Sequence, residues 1–133
     1  MPCMLDADHC VYLIKGSPLV APKVPMGDCL ISAIVAGELH TGVAKSDESH
    51  RSWNRQALAD FLSTVRVAPI DEHVVETYAE VRAYLEASGQ RIGPHDTWIA
   101  AHSLALGLPL VTNNMREFSR VPELVVENWL QLP

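Results

Sequence analysis

Residues 92–112, IGPHDTWIAAHSLALGLPLVT, decide the fold. Pro94 suits the first turn of a helix and Gly107 the position just past a helix end. Between them the stretch is strongly apolar. Two residues later it reaches PLVT (109–112), a short apolar run suited to a buried strand. A helix passing straight into a buried strand is half of a repeating α/β unit. The same alternation continues upstream. Val67 to Ile70 reads as a strand, and Asp71 caps a long amphipathic helix that presents Val74, Val75, Tyr78, Val81 and Leu85 and stops near Gly89. Before it, a helix carries Leu58, Phe61, Leu62 and Val65, preceded by a polar loop over 45–52. CLIS (29–32) reads as a strand and AIVAGELHTGVA (33–44) as a helix capped by Ser32. Pro18, Pro22 and Pro25 bar a long helix from 17–27. At the start, Met4 and Leu5 end a strand at Asp6, and Asp8 is placed to cap a helix through HCVYLIK that closes at Gly16. Downstream, after a turn, LVVEN (124–128) is a fifth strand. The pattern predicts an α/β fold with a mainly parallel sheet, one domain over 1–133, and a site at the carboxyl ends of the strands near a topological switch point.

Composition narrows the function. With 133 residues, 48% hydrophobic and 20% charged, the chain buries a core and does not read as disordered. No apolar run reaches the ~18 residues of a membrane span, and the acidic N-terminal decapeptide MPCMLDADHC is not expected to be a secretory leader. Cys3, Cys10 and Cys29 form no CxxC motif, which argues against a disulfide framework or zinc ribbon and for a cytoplasmic protein. A net charge of −6 excludes a protein that coats nucleic acid by general attraction. It leaves room for a metal nuclease, which concentrates acid in its pocket and needs only local basic contacts.

Three acids stand out. Asp6 follows an apolar strand, where an α/β sheet opens its crevice; a turn or cap is the competing reading. Glu38 sits in a helix that reads as apolar nearly all round, and a buried carboxylate needs a cation, a basic partner or a proton. Asp96 lies in the first turn of the helix opened by Pro94, where favourable interaction with the helix dipole competes with a role in a site. In VTNNM (111–115) the two amides fit a turn, with Asn114 the better candidate for holding ligated water. His9 and Cys10 read as structural or surface residues, and His95 and His102 are too far apart on one helix to share a metal. Arg91, Arg116 and Arg120 flank the acids in sequence and either hold phosphates or are solvated.

Taken in order, the strand ending at Asp6, ISAIVAGEL (31–39), IGPHDTWIAAHSLALG (92–107) and LVTNNMREFSRVPELVVENW (110–129) resemble the PIN-domain ribonucleases, and more narrowly the VapC-type toxins of bacterial toxin–antitoxin pairs. The resemblance covers nearly the whole chain. It implies a sheet order of 3-2-1-4-5, which brings distant acids together. It places the family's essential acids on Asp6, Glu38 and Asp96, with Asp6 and Asp96 as direct ligands of Mg2+, or of Mn2+ in its place, and Glu38 acting through water. The family's frequent fourth acid falls on Asn114, and the hydroxyl that supports the pocket on Thr112. Asp8 stands where the family usually has Asn, either as an added carboxylate or as a helix cap, the cap being preferred. The Pro-rich stretch replaces a longer helical region that commonly touches the antitoxin.

The resemblance implies a magnesium-dependent endoribonuclease acting on structured RNA, with transfer RNA favoured, a cognate antitoxin as partner, and a homodimer. Two alternatives differ in kind. Asp6-Ala7-Asp8 also matches the opening of haloacid-dehalogenase-type phosphatases, with Asp6 as nucleophile and Ser32 imitating the second motif, but no suitable Lys followed by an acidic pair is present. The third reading is a PIN-like module that binds RNA or a partner without cutting.

Overall fold

The computed structural model describes residues 1–131; the last two positions of the 1–133 domain assignment lie outside the described residues. Strand β1 (Cys3–Leu5) leads into helix α1 (Ala7–Ile14). The Pro-rich segment ends in a short 3-10 turn (Met26–Asp28) before β2 (Cys29–Ser32) and α2 (Ala33–Lys45). Then follow α3 (Glu48–Leu62), β3 (Arg66–Ala68), α4 (Glu72–Ala87), α5 (Pro94–Leu106), β4 (Leu110–Val111), α6 (Met115–Phe118) and β5 (Val126–Glu127).

The sheet is parallel throughout, in the order β3-β2-β1-β4-β5. The chain builds outward from β1 to β3, then returns to the other side of β1 with β4. This reversal is the switch point, and the register there pairs Leu5 with Val111. Asp6 and Thr112, one residue beyond each partner, therefore emerge side by side. Met4, Leu5, Ile31, Leu110 and Val111 are wholly buried in the sheet, and Ile99, Phe118 and Trp129 pack into the same core. Burying side chains of this size stabilises by about 1.5–3 kcal/mol each. The Pro-rich stretch is tied down at Val20, which bridges Leu130, and by Gln131 N–H donating to the Leu19 carbonyl.

Local chemistry explains the helix ends. Ser32 Oγ accepts from Ile34 N and Asp71 Oδ1 from Val74 N. Gly107 closes α5 in the left-handed conformation (φ 67°), which costs glycine little.

Several expectations need correction. The polar loop at 45–52 shrinks to Ser46 and Asp47, because Asp47 accepts from His50 N and starts a helix there. The cap of α1 is Asp6, which accepts from Ala7 N, and Asp8 lies inside the helix. Helix α2 is not apolar all round: only Val35 and Leu39 are buried, and Gly37, Thr41 and Ala44 face outward. Val75 is exposed on α4. The third to fifth strands are two or three residues long, shorter than their apolar runs, and the turn after β4 contains the short helix α6.

Candidate active site

Asp6 is the anchored member of the acid group. Its Oδ1 accepts from Ala7 N at 2.8 Å and its Oδ2 from the Thr112 hydroxyl at 2.7 Å. Burial pushes its carboxyl above the usual range, the Thr112 and Ala7 donors oppose that, and the charge on Asp8 adds to it. Thr112 is itself held, since its Oγ1 accepts from Asn114 N at 3.0 Å.

Glu38 reaches the same region from α2. Its side chain is 32% exposed, yet Oε1 is buried with no hydrogen-bond donor, and His95 Nδ1 stands 3.7 Å from it. Burial and then the charge on Asp6 raise its pKa, with His95 opposing. Asp96, in the first turn of α5, is pushed to about 6, first by burial and then by Asp6, Glu117 and Glu38. The topology thus gathers Asp6, Glu38 and Asp96 into one electrostatic unit whose members disfavour each other's ionisation.

Asn114 sits beside this group. It caps α6, and its Nδ2 donates to Glu117 Oε2 at 3.1 Å and lies 3.5 Å from Asp96 Oδ2. Glu117, which the sequence does not single out, and His95, set aside in sequence as a partner of His102 on a metal, are members of the site. The spacing Asn114-x-x-Glu117, that of a capping box, was the available signal for Glu117. For His95 the signal was its place beside Asp96 in the first turn of α5.

Asp8 borders the group, its Oδ2 3.4 Å from Thr112 Oγ1, but its shorter bonds go to other donors. Its Oδ1 accepts from His9 N and His9 Nδ1, and its Oδ2 from Asn113 N at 2.9 Å. Burial opposes its ionisation, but the His9 and Asn113 donors outweigh burial and lower its pKa. His9 is wholly buried, and its Nε2 accepts from Trp129 N at 3.1 Å, which places the ring proton on Nδ1, facing Asp8. Asp8 and His9 therefore fasten the β4–α6 loop and the C-terminal segment to α1. Arg120 Nη1 donates to the Arg91 carbonyl at 2.9 Å, so these two arginines lie together where the chain enters α5, while Arg116 is exposed on α6.

Among the described residues, no three side chains of His, Cys, Asp or Glu converge tightly enough to hold an ion by themselves. The donor set nevertheless suits magnesium, which keeps several waters and takes one or two carboxylates directly. Mutually repelling acids and a Glu38 Oε1 without a hydrogen-bond partner are groups whose charge a hard cation offsets.

Helices α1, α2 and α3 border a groove of about 650 Å³ that Glu38 also lines. Its lining includes Val11, Ile14, Leu39, Val43 and Trp53, and Trp53 is 79% exposed.

The comparisons agree with this fold. The PIN domain family model matches residues 3–124. Ribonuclease VapC2 of Rickettsia felis is 38% identical, with 95% of this chain and 96% of that protein covered. The tRNA(fMet)-specific endonuclease VapC of Shigella flexneri is 35% identical, with 95% and 96% covered. The crystal structure of VapBC2 from Rickettsia felis bound to a promoter DNA fragment superposes with a TM-score of 0.85 at 37% identity, covering 97% of this chain and 99% of that one. With the family model over residues 3–124 and near full-length similarity to VapC relatives, the chain belongs to the PIN-domain family and, within it, to the VapC-type toxins.

Proposed function

We propose that this protein is a magnesium-dependent endoribonuclease, the toxin of a type II toxin–antitoxin pair, which cleaves structured RNA in the cytoplasm. The observation that carries the reading is the convergence of Asp6, Glu38 and Asp96 from three separate elements, at the switch point, with Glu38 Oε1 buried and without a hydrogen-bond partner. Carboxylates are gathered in this way at a cost in stability, and a cation removes that cost.

Asp6 and Asp96 would hold the cation directly, and Glu38 would orient the water that attacks phosphorus. Bound Mg2+ supplies positive charge for the scissile phosphate and lowers the pKa of water. The protein's own contribution is placement. Thr112 and Ala7 fix both oxygens of Asp6, and Asn114 spans Asp96 and Glu117. Arg91, Arg116 and Arg120 would meet the RNA backbone. Water attack leaves 5′-phosphate and 3′-hydroxyl ends. Transfer RNA is the favoured substrate class, in keeping with the name of the Shigella relative.

The partner reading rests on the groove beside Glu38. An apolar segment of an antitoxin laid along Leu39, Val43 and Trp53 ends next to the acids and blocks them. The Rickettsia VapBC2 complex supports an antitoxin partner, and the family resemblance implies a homodimer. The dehalogenase-type alternative loses ground: Asp8, which would have to serve as its acid, is bound by His9 and Asn113.

Total cellular RNA incubated with the purified protein tests the reading. Magnesium or manganese is expected to give a few discrete fragments with 5′-phosphate ends, and chelator none. Chelator-resistant cutting with cyclic-phosphate ends would overturn it, and intact RNA in every condition would favour a binding module.

A further inference from the structure

Helices α2 and α5 carry Glu38 and Asp96, and they touch at two places. At one, His95 Nδ1 stands 3.7 Å from Glu38 Oε1. At the other, His102 Nδ1 and Ser32 Oγ form a hydrogen bond of 2.8 Å between residues 70 apart in sequence, both wholly buried. Ser32 lies six residues before Glu38 and His102 six residues after Asp96. At ~1.5 Å per residue, the buried bond sits about 9 Å along each helix from its acid. The two helices run in opposite senses between these contacts, so a fixed point at one end sets the gap at the other. Val35 and Ile99, on the intervening turns, are fully buried and leave no slack.

Ser32 has a second task that makes the bond specific. Its Oγ accepts from Ile34 N and so starts α2. Whatever holds Ser32 also holds the first turn of the helix that carries Glu38. Burial lowers the His102 pKa, against the Asp71 charge and the Pro69 carbonyl, so the ring is neutral at pH 7 and one of its nitrogens is free to accept. The bond thus couples two uncharged groups, and no metal ligand takes part in it.

We propose that His102 is a positioning residue: through its hydrogen bond to Ser32 it locks α2 against α5 and thereby sets the separation of Glu38 and Asp96 needed to bind a divalent cation. The inference rests on the metal-nuclease reading and adds a residue that touches neither metal nor RNA. It also separates two nitrogens of similar reach. The side-chain amide of Asn sets Oδ1 or Nδ2 at the position of Nδ1 and keeps a bond to Ser32, Oδ1 accepting from the hydroxyl; the amide of Gln reaches the position of Nε2 and does not.

The test is titration of the protein with Mn2+ alone, read by electron paramagnetic resonance of the free ion, with folding of each variant checked by circular dichroism. His102→Gln and Ser32→Gly are expected to bind Mn2+ about tenfold more weakly, while His102→Asn stays within about twofold of wild type. Glycine is used at Ser32 because an N-cap tolerates it, and that variant decides the matter if His102→Gln does not fold. Equal affinity in wild type and both clamp variants would overturn the positioning role and leave the nuclease reading intact. His102→Asn as weak as His102→Gln would also overturn it, by showing that packing matters and the bond does not. No Mn2+ binding by wild type would overturn the nuclease reading and this inference together.

Discussion

The Thr112 hydroxyl donates to Asp6 Oδ2 across 2.7 Å, joining residues 106 apart in sequence at the switch point of the sheet. Thr112 Oγ1 itself accepts from Asn114 N, so one buried hydroxyl aligns the carboxylate and the loop that carries the amide. Thr112→Val keeps the shape and leaves both groups unsatisfied, at a cost of about 1–3 kcal/mol. Urea denaturation is expected to show that loss, and cleavage of RNA to fall about tenfold or more. Thr112→Ser keeps the hydroxyl and most of the activity. Equal activity in Thr112→Val and wild type would mean that Asp6 needs no such support.

Asp96→Asn is expected to abolish cleavage while leaving the metal-free fold as stable as wild type or more so at pH 7. The charge on Asp96 is disfavoured by burial and by Asp6, Glu117 and Glu38, so removing it relieves repulsion. Thermal melts in chelator, paired with cleavage assays, check both halves. A large loss of metal-free stability would make Asp96 a structural residue.

The pH dependence follows from the same carboxyl. Its folded pKa of about 6 lies above the ordinary value of 3.8, so the folded state binds more protons between those values. Metal-free stability therefore falls as pH rises from about 4 to about 6 and levels off above that. Cleavage runs the other way, since a cation requires the ionised acid, and it is expected to decline below about pH 6. Asp6 and Glu38 are shifted in the same direction and steepen both trends. Melting temperatures in chelator and initial cleavage rates across pH 4.5–8 check the opposite slopes, and parallel slopes would contradict the assignment.

Much of this arrangement was legible in local sequence, and the reason is physical. The caps at Ser32 and Asp71 and the Pro94–Gly107 boundaries depend on residues within one turn of each other, and all appear where the sequence places them. The order of the strands depends on long-range pairing, and it became readable only through the family resemblance. Asp6 and Asp8 show the limit most clearly. Both suit a helix start, and nothing nearby shows that the Asn113 amide, over a hundred residues on, needs Asp8 as its acceptor. Glu38 stands out in sequence because its helix reads as apolar nearly all round, whereas α2 exposes a polar and small-residue face. Its Oε1 is enclosed by tertiary packing, while the small residues of α2 face outward.

Asp8 is expected to behave unlike the other acids. Asp8→Ala removes the acceptor for His9 and for Asn113, so the β4–α6 loop and the Trp129 segment lose their tether. Stability should drop by about 1–3 kcal/mol, while Mn2+ affinity falls less than it does in Asp6→Asn. Its lowered pKa means that its contribution is present above the ordinary pKa of 3.8 and is lost as pH falls through the folded value. Mn2+ titration beside urea denaturation separates the roles. Loss of metal binding equal to that of Asp6→Asn would make Asp8 part of the metal site.

Asn114→Asp reverses the departure from the family's fourth acid. Asn114 donates to Glu117 Oε2 at 3.1 Å and lies 3.5 Å from Asp96 Oδ2, so its amide separates two carboxylates. Aspartate removes that donor and adds a third negative charge at the same point, while remaining an equally good cap for α6. The helix start is kept, and the change is electrostatic. In chelator the variant is expected to melt several degrees below wild type, because like charges at one site resist joint ionisation. Saturating Mg2+ should restore most of the difference, since a cation that binds only the folded state stabilises it in proportion to its affinity. The metal-induced rise in melting temperature should therefore be larger in Asn114→Asp than in wild type. The same variant tests where Asp96 ionises, because an added charge beside it raises its pKa further and moves the acid limb of the cleavage profile to higher pH. If melting in chelator is unchanged and the metal-induced rise is no larger, the amide does not separate Asp96 from Glu117, and Asn114 is only a cap.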